Sequence, residues 1–283
     1  MRNYPPLEPI DYLIIGHITQ DLTPAGPVIG GTAAYSGLTA RALGLRVGLV
    51  TSFDPDLQLP EFHGVSIINR YADTTTTFKN TITTAGRIQT VFHPAYPLDI
   101  SMVPDIWRNA PIVHLGPVIQ EVDPRLSRAF EKSFLGLTPQ GWLRSAALDG
   151  RVHYSDWLEA RYVLEPANAA VISIEDVGGD EAIIEDLMTS IRILAVTEGS
   201  GGARIYWNGD LRMFRSPLTD EIDPTGAGDI FAAAFFIRLH QTRDPWEATR
   251  FATQLAANSV TRRGLASIPT ADEIKSSLIE ILP

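Results

Sequence analysis

Asp223-Pro224-Thr225-Gly226-Ala227-Gly228-Asp229 runs directly into Ile230-Phe231-Ala232-Ala233-Ala234-Phe235-Phe236, and the reading of this stretch decides the fold. Its small residues let backbone N–H groups face open space where a side chain would block an anion. The apolar run that follows predicts a buried helix, which puts those N–H groups at the positive end of its dipole. Asp229 falls within the first turn. Anion donors beside a candidate base are what transfer of a phosphoryl group to a hydroxyl needs. The same residues read equally as a Gly-containing turn capped by Asp at a helix start.

Outward from that turn, the bulk properties set limits. A chain of 283 residues can form one large α/β domain or two small ones around a substantial core. Hydrophobic content of 45% with 20% charged residues is ordinary for a soluble globular protein. The formal charge of −10 argues against non-specific nucleic-acid or anionic-lipid partners. With no cysteine, disulfides, thiolate catalysis and Cys-ligated metal sites are excluded. No basic segment precedes an apolar core near the N-terminus, and no apolar run approaches ~18 residues. The expectation is a cytoplasmic protein without a membrane partner.

Residues 1–10 are Pro-rich and read as a short arm. Tyr12 to Ile18 is an apolar run suited to a parallel strand covered on both faces. Asp21 follows at its C-terminal end, where open α/β sheets place ligands. Gly30-Gly31 then opens a small-residue helix through Ala42, stopped by Gly44, and Arg46–Thr51 is the next strand. His17 reads as a satisfied near-core histidine. The Thr-rich, β-branched residues from 65 to 93 predict a small antiparallel β-flap with strands at 65–69, 74–83 and 86–92, hinged near Thr84-Ala85-Gly86. The short segment from Asp21 to Gly30 leaves little room for an extra flap strand. Arg87 and Gln89 lie two apart, on one strand face turned either to a ligand or to solvent.

Farther along, strands are predicted at 112–116 and 134–137, with a helix from Asp123 to Lys132 between them. Gln140 and Arg144 lie on the loop after the second, as solvated residues or as contacts to substrate or phosphate. Residues 145–160 read as irregular. The strand beginning at Ala170 ends in Glu175 and Asp176, which read equally as the acidic start of a helix around 180–190 or as groups near a metal ion. Ile193–Thr197 precedes a Gly-rich turn, and Asn208-Gly209-Asp210 marks a hairpin. Helices follow at 244–261 and 270–282, separated by a turn at Arg262-Arg263-Gly264. No Gly-Lys-Ser/Thr completes a Walker loop, and no Gly-x-Gly-x-x-Gly follows the first strand, which disfavours a dinucleotide oxidoreductase.

The Asp223–Asp229 run, Gly30-Gly31, the flap, and Thr197-x-Gly199-x-x-Gly202 occur in the order seen in the ribokinase-like (PfkB) carbohydrate kinases, which this chain resembles over nearly its whole length. Ile205-Tyr206-Trp207-Asn208-Gly209-Asp210 also resembles the inositol kinase-like branch. The resemblance implies one α/β domain over 1–283, a three-layer α/β/α ribokinase-like fold with a mostly parallel central sheet and a small β-flap lid from about 65–93. It implies transfer of the ATP γ-phosphoryl to a hydroxyl of a small sugar or polyol, first a cyclitol such as myo-inositol. A sugar or nucleoside kinase, or a catalytically silent relative that binds nucleotide or polyol, is the alternative. By the same resemblance Asp229 takes the acceptor proton, and the Gly226, Ala227 and Gly228 N–H groups hold the phosphoryl charge. Asp21, Gly30, Gly31, Tyr35, Arg87 and Gln89 would line the acceptor pocket. Thr197, Gly199, Gly202, Thr225, Asn258 and Gly264 would meet ATP, and Asp176 with Glu175 would order Mg2+ through water. The implied state is a monomer or homodimer. Tyr35 stands where many sugar kinases carry Asn, and Ser173 and Asp176 stand where Asn and Glu are usual.

Overall fold

Short apolar runs with alternating destinations build the centre of the molecule, whose computed structural model describes residues 7–83 and 86–278. In β1 (Tyr12–Ile15), Tyr12 and Ile14 enter one hydrophobic cluster while Leu13 and Ile15 enter another, so both faces of the strand are covered. A hairpin follows, β2 (Thr19–Thr23) and β3 (Gly26–Gly30), and then α1 (Thr32–Ala42) and β4 (Val47–Thr51). β5 (Val65–Asn69) precedes a second hairpin, β6 (Thr77–Thr83) and β7 (Gly86–Phe92). β8 (Ile112–Leu115), β9 (Phe134–Leu137), a small hairpin of β10 (Arg144–Ala146) and β11 (Val152–Tyr154), and α2 (Ala160–Leu164) come next. The chain continues through β12 (Ala169–Ser173), α3 (Glu181–Met188), β13 (Ile193–Thr197), β14 (Ala203–Trp207) and β15 (Asp210–Phe214). It closes with α4 (Ala227–Thr242), α5 (Pro245–Ser259) and α6 (Ala271–Ser277).

The main sheet has the order β15-β14-β13-β12-β9-β8-β1-β4-β5. It is parallel from β5 to β13, and β14 and β15 are antiparallel. Helices α1, α4 and α5 contribute to the cluster on one face, and residues of α2 and α3 contribute to the cluster on the other. The result is the three-layer α/β/α arrangement expected from the sequence. The tight turn between β14 and β15 holds Asn208 at φ 52° and Gly209 at φ 81°, the left-handed pair a two-residue hairpin requires. Among the described residues no helix is long and apolar enough to cross a membrane.

The flap differs from the sequence expectation. A second sheet of order β3-β2-β6-β7 forms it, so the segment from Thr19 to Gly30, with Asp21 inside its first strand, supplies two strands. Gly26 at φ 116° and the Thr23 hydroxyl, which donates 2.7 Å to the Gly26 carbonyl, close that hairpin in few residues. β5 belongs to the main sheet and pairs with β4. Val65 and Ile67 pack on one cluster and Ile68 on the other, and a strand covered on both faces fits the main sheet. The proposed hinge residues Thr84 and Ala85, residues 1–6 of the arm, and residues beyond 278 of the last helix lie outside the described residues. The helix expected from Asp123 to Lys132 is one short 3₁₀ stretch, Pro124–Arg128, capped by Asp123. The region expected to be irregular carries the β10–β11 hairpin, which docks on the flap through the Val91 N–H to Gly150 O bond of 2.9 Å.

Candidate active site

The Asp223–Asp229 stretch forms a braced turn at the start of α4. Asp223 accepts from Thr225 N at 3.0 Å and from Gly264 N at 3.1 Å. Burial pushes the Asp223 carboxyl up, but these bonds and nearby Arg263 outweigh it and leave the group below the usual carboxylate range. Gly226 adopts φ 80°, and a Cβ there would collide with the Tyr35 ring. Ala227 N is engaged with Pro224 O at 3.2 Å. Among the described residues, the N–H groups of Gly226, Gly228 and Asp229 have no protein partner. Space near Gly228 is open, with no atom within 4 Å of a Cβ placed there. The donors open to an anion are therefore those of Gly226, Gly228 and Asp229, a correction to the sequence reading, which included Ala227.

Asp229 sits over α1. Its backbone carbonyl accepts from Ser36 Oγ at 3.0 Å, and its side chain is hydrogen-bonded by Thr32, the first residue of α1. Burial is the main force raising its carboxyl, to about 6, with the charges of Asp176 and Asp21 adding to it. Thr32 and Arg144 pull in the other direction. A carboxylate so placed can accept a proton near neutral pH.

Facing it is the flap. Asp21 of β2 is the register partner of Phe78 in β6, and its carboxylate lies against Gly30, where a Cβ would collide with it. Gly31 holds φ 90°, and a Cβ would stand 2.6 Å from His17 O. His17 is fully buried: Nδ1 meets the Thr76 hydroxyl at 2.8 Å and Nε2 the Tyr96 carbonyl at 2.9 Å. Because a carbonyl only accepts, Nε2 carries the proton and Nδ1 accepts from Thr76. This is the satisfied core histidine expected, and it pins the base of the flap. Buried Glu121 accepts from the backbone N–H groups of His17, Val118 and Ile119 at 2.7–3.1 Å, joining the loops that leave β1 and β8.

Two expected acceptor contacts also have partners within the protein. Tyr35 is 1% exposed and supports the Gly226 turn with its ring, and its phenol also feels the charges of Asp229, Asp223 and flap residue Asp21. Gln89 is engaged within the protein at both ends of its amide: Arg144 Nη1 donates to its Oε1 at 2.9 Å, and its Nε2 donates to Asn80 at 3.1 Å. Arg87 lies in β7, with its side chain outside the described part.

Asp176 ends the short turn after β12. Its Oδ2 accepts from Ser173 N and its Oδ1 from Gln140 Nε2, each at 2.8 Å. Burial raises its carboxyl against these bonds and the pull of Arg144. Ser173 accepts from Glu175 N in return, which makes a reciprocal cap on a 3₁₀ turn, Ile174–Val177; the acidic pair therefore does not start the helix expected around 180–190, which is α3 capped by Asp180. A desolvated carboxylate with further carboxylates near it, here Glu175 and Asp229, would gain from a hard cation, and Asp176 with exposed Glu175 offers the oxygen donors that water-mediated Mg2+ binding uses. Among the described residues no three His, Asp or Glu side chains could hold an ion by themselves.

An open surface groove of about 720 Å³ is lined by Leu218, Thr219, Asp220, Ile222 and Thr261. It lies between the segment leading into the turn and the end of α5. Asn258 and Gly264 are close in sequence to Thr261, but the Gly264 N–H is used by Asp223. Thr225 is exposed. Thr197 Oγ1 donates to Ile172 O at 3.3 Å, and Gly202, at φ 100°, passes so close to Phe214 O that only glycine fits. Gly199 is open to space.

Residues 172–271 match the family described as pfkB family carbohydrate kinase. Over 282 aligned residues the chain is 23% identical to a cytidine kinase of Thermococcus kodakarensis, covering 92% of this chain and 99% of that protein. A ribokinase of Bacillus subtilis is 36% identical over 86 residues, which cover 30% of this chain and 29% of that one. The fold superposes on a pyrophosphate-dependent kinase in the ribokinase family, complexed with a pyrophosphate analog and myo-inositol, with a TM-score of 0.78. That pair is 20% identical and covers 94% of this chain and 100% of the other. A ribokinase from Thermotoga maritima gives a TM-score of 0.73 at 18% identity, covering 95% and 99%.

Proposed function

We propose that this chain, whose residues 172–271 match the pfkB family of carbohydrate kinases, is a kinase of that family that transfers the γ-phosphoryl of ATP to a hydroxyl of a small polyhydroxylated ring, with a cyclitol such as myo-inositol as the first choice. The observation that carries this reading is Asp229, its carboxyl raised to about 6, beside the unengaged N–H groups of Gly226, Gly228 and its own backbone. The acceptor oxygen bonds to phosphorus as the donor P–O bond breaks, and its electron pair stays on the leaving oxygen. The acceptor proton passes to Asp229 Oδ. The three N–H groups meet charge on the transferring group, and Asp21 holds acceptor hydroxyls against Gly30. Asp176 and Glu175 would hold Mg2+ through water, where it would neutralise donor phosphate charge.

The open groove beside the turn, with Leu218 and Ile222 at its surface, is where the base of such a donor would lie. Thr197, Gly199, Gly202, Thr225, Asn258 and Gly264 would flank that donor. A nucleoside acceptor is the second reading, favoured by the full-length similarity to the cytidine kinase. Initial rates with myo-inositol, ribose, fructose and cytidine at equal concentration, each with ATP and with pyrophosphate, test the proposal. Activity on cytidine with none on the other three would replace the acceptor. Activity with pyrophosphate alone would replace the donor.

A further inference from the structure

Three parts of the molecule converge on Arg144. It opens β10, and its Nε donates to Val118 O at 2.6 Å, on the loop leaving β8. Its Nη1 donates to Gln89 Oε1 at 2.9 Å, and its guanidinium stands 5.3 Å from the centroid of the Phe78 ring. Gln89 and Phe78 belong to the flap, and Gln89 is itself held by Asn80, its cross-strand partner. Phe78 and Val91 pack with Val118 and Ile119 in a small separate core, which seats the flap on the loop that Arg144 grips. The direction of the guanidinium is thus set by the flap as well as by β10.

The charge of Arg144 acts on both Asp176 and Asp229. The other charged groups that face Asp229 are Asp176 and Asp21, and the phenols of Tyr12 and Tyr35 also feel it. A polyanionic donor entering among these carboxylates meets N–H groups from the α4 side. Arg144 supplies the cation from the flap side. A planar guanidinium can hold two oxygens of a phosphoryl group at once, which an ammonium cannot.

We infer that Arg144 is a second charge-stabilising group for the transferring phosphoryl, and that Gln89 is the positioning residue through which the flap aims it. This rests on the phosphoryl-transfer reading above. Arg144 neither gains nor loses a proton in the step; it hydrogen-bonds non-bridging phosphoryl oxygens while Asp229 receives the acceptor proton. Chemistry then depends on the seated flap even when the acceptor is already held by Asp21.

Steady-state kinetics on the full chain test this, using the acceptor and donor that support wild-type turnover. Arg144→Gln is expected to lower kcat roughly 10²–10³-fold, as loss of one preorganised donor does, with the acceptor KM changed less than threefold. Gln89→Leu is expected to lower kcat about tenfold in the wild-type background and not at all in the Arg144→Gln background, because its effect runs through Arg144. Calorimetric binding of ADP with aluminium fluoride and acceptor should weaken at least about tenfold in Arg144→Gln, while ATP alone binds as before. Arg144→Gln turnover within threefold of wild type overturns the inference, and so does a Gln89→Leu penalty of equal size in both backgrounds. Should Arg144→Gln not fold, Arg144→Lys together with Gln89→Leu serves the same cycle. A wild-type chain that phosphorylates none of the acceptors overturns both readings; active wild type with an unaffected Arg144→Gln removes only this one.

Discussion

The turn that carries Asp229 is seven consecutive residues, whereas the wall facing it is assembled from β2 and β3, β6 and β7, the loop after β8, and the β10–β11 hairpin. The turn is braced through Asp223, which ties it to Gly264, and by the ring of Tyr35 beneath Gly226. The flap wall hangs instead on a few buried polar joints, His17 with Thr76 and Tyr96, Glu121 with three backbone N–H groups, and Arg144 with Gln89. A rigid wall that presents the base and a wall held by polar joints suit a site that fixes the chemistry on one side and admits the acceptor on the other.

The largest effect should come from the rigid wall. Asp229→Asn keeps the shape of the side chain and its contact with Thr32 but removes the proton acceptor. Turnover should fall on the order of 10²–10⁴-fold, with ATP binding within a few-fold of wild type. Turnover within threefold of wild type would sink the assignment of Asp229 as base.

Two glycines of that same turn should separate stability from chemistry. Gly226→Ala puts a Cβ at φ 80° against the Tyr35 ring, so the fold should lose about 2–4 kcal/mol in urea unfolding. Gly228→Val meets no protein atom within 4 Å, so its melting temperature should move little. Its side chain would instead occupy the space the N–H groups face, and turnover should fall about a hundredfold or more. Equal destabilisation by the two would show that the space at Gly228 is filled by protein after all.

The turn, the mostly parallel α/β layering and the N-terminal βαβ unit were legible because each is signalled by residues adjacent in sequence: glycines at a helix start, two-sided apolar runs, and Gly31 ahead of α1; the sheet order, with β5 at its edge, was not. The flap was only half legible. Its β6–β7 hairpin is local, but the pairing of β2 with β6 brings Gln20 to Thr77, and no periodicity encodes that partnership. Glu121 escaped for the same reason, and Arg144 was read as a solvated residue or a phosphate contact without its tie to the flap: each looks like a loop residue until the strands bring its partners to it. Glu121→Gln tests how much the flap wall depends on such a joint. Weakening a charge-assisted acceptor for the His17, Val118 and Ile119 N–H groups should cost about 2–3 kcal/mol. Hydrogen exchange of the β6 and β7 amides should quicken more than that of β8 or β12. Uniform quickening across the main sheet would mean the joint supports the core and not the flap.

The smallest effect is a slope in stability against pH, in which the two walls and the core beneath them act in opposite directions. Asp229 has a folded carboxyl near 6 against 3.8 in the unfolded chain, so the folded state holds a proton between those values that the unfolded state has released. Its contribution is present below 3.8 and is lost as pH rises through 6. His114 is fully buried between the Tyr12 hydroxyl and Thr138, and burial lowers its imidazole from 6.5 to about 3. The unfolded state then binds a proton that the folded state does not, so stability is lost as pH falls below 6.5. Between pH 4 and 6 the two slopes, each about 1.4 kcal/mol per pH unit at most, offset one another. Asp229→Asn removes one of them. Its stability relative to wild type should therefore grow by about 1–2 kcal/mol between pH 4 and pH 7, after allowance for the partial exposure of Asp229. Urea unfolding of both proteins at pH 4, 5, 6 and 7 measures this directly. A difference that stays constant over that range would place Asp229 in an environment too wet to raise its carboxyl, and the base would then have to act with an ordinary carboxylate affinity for its proton.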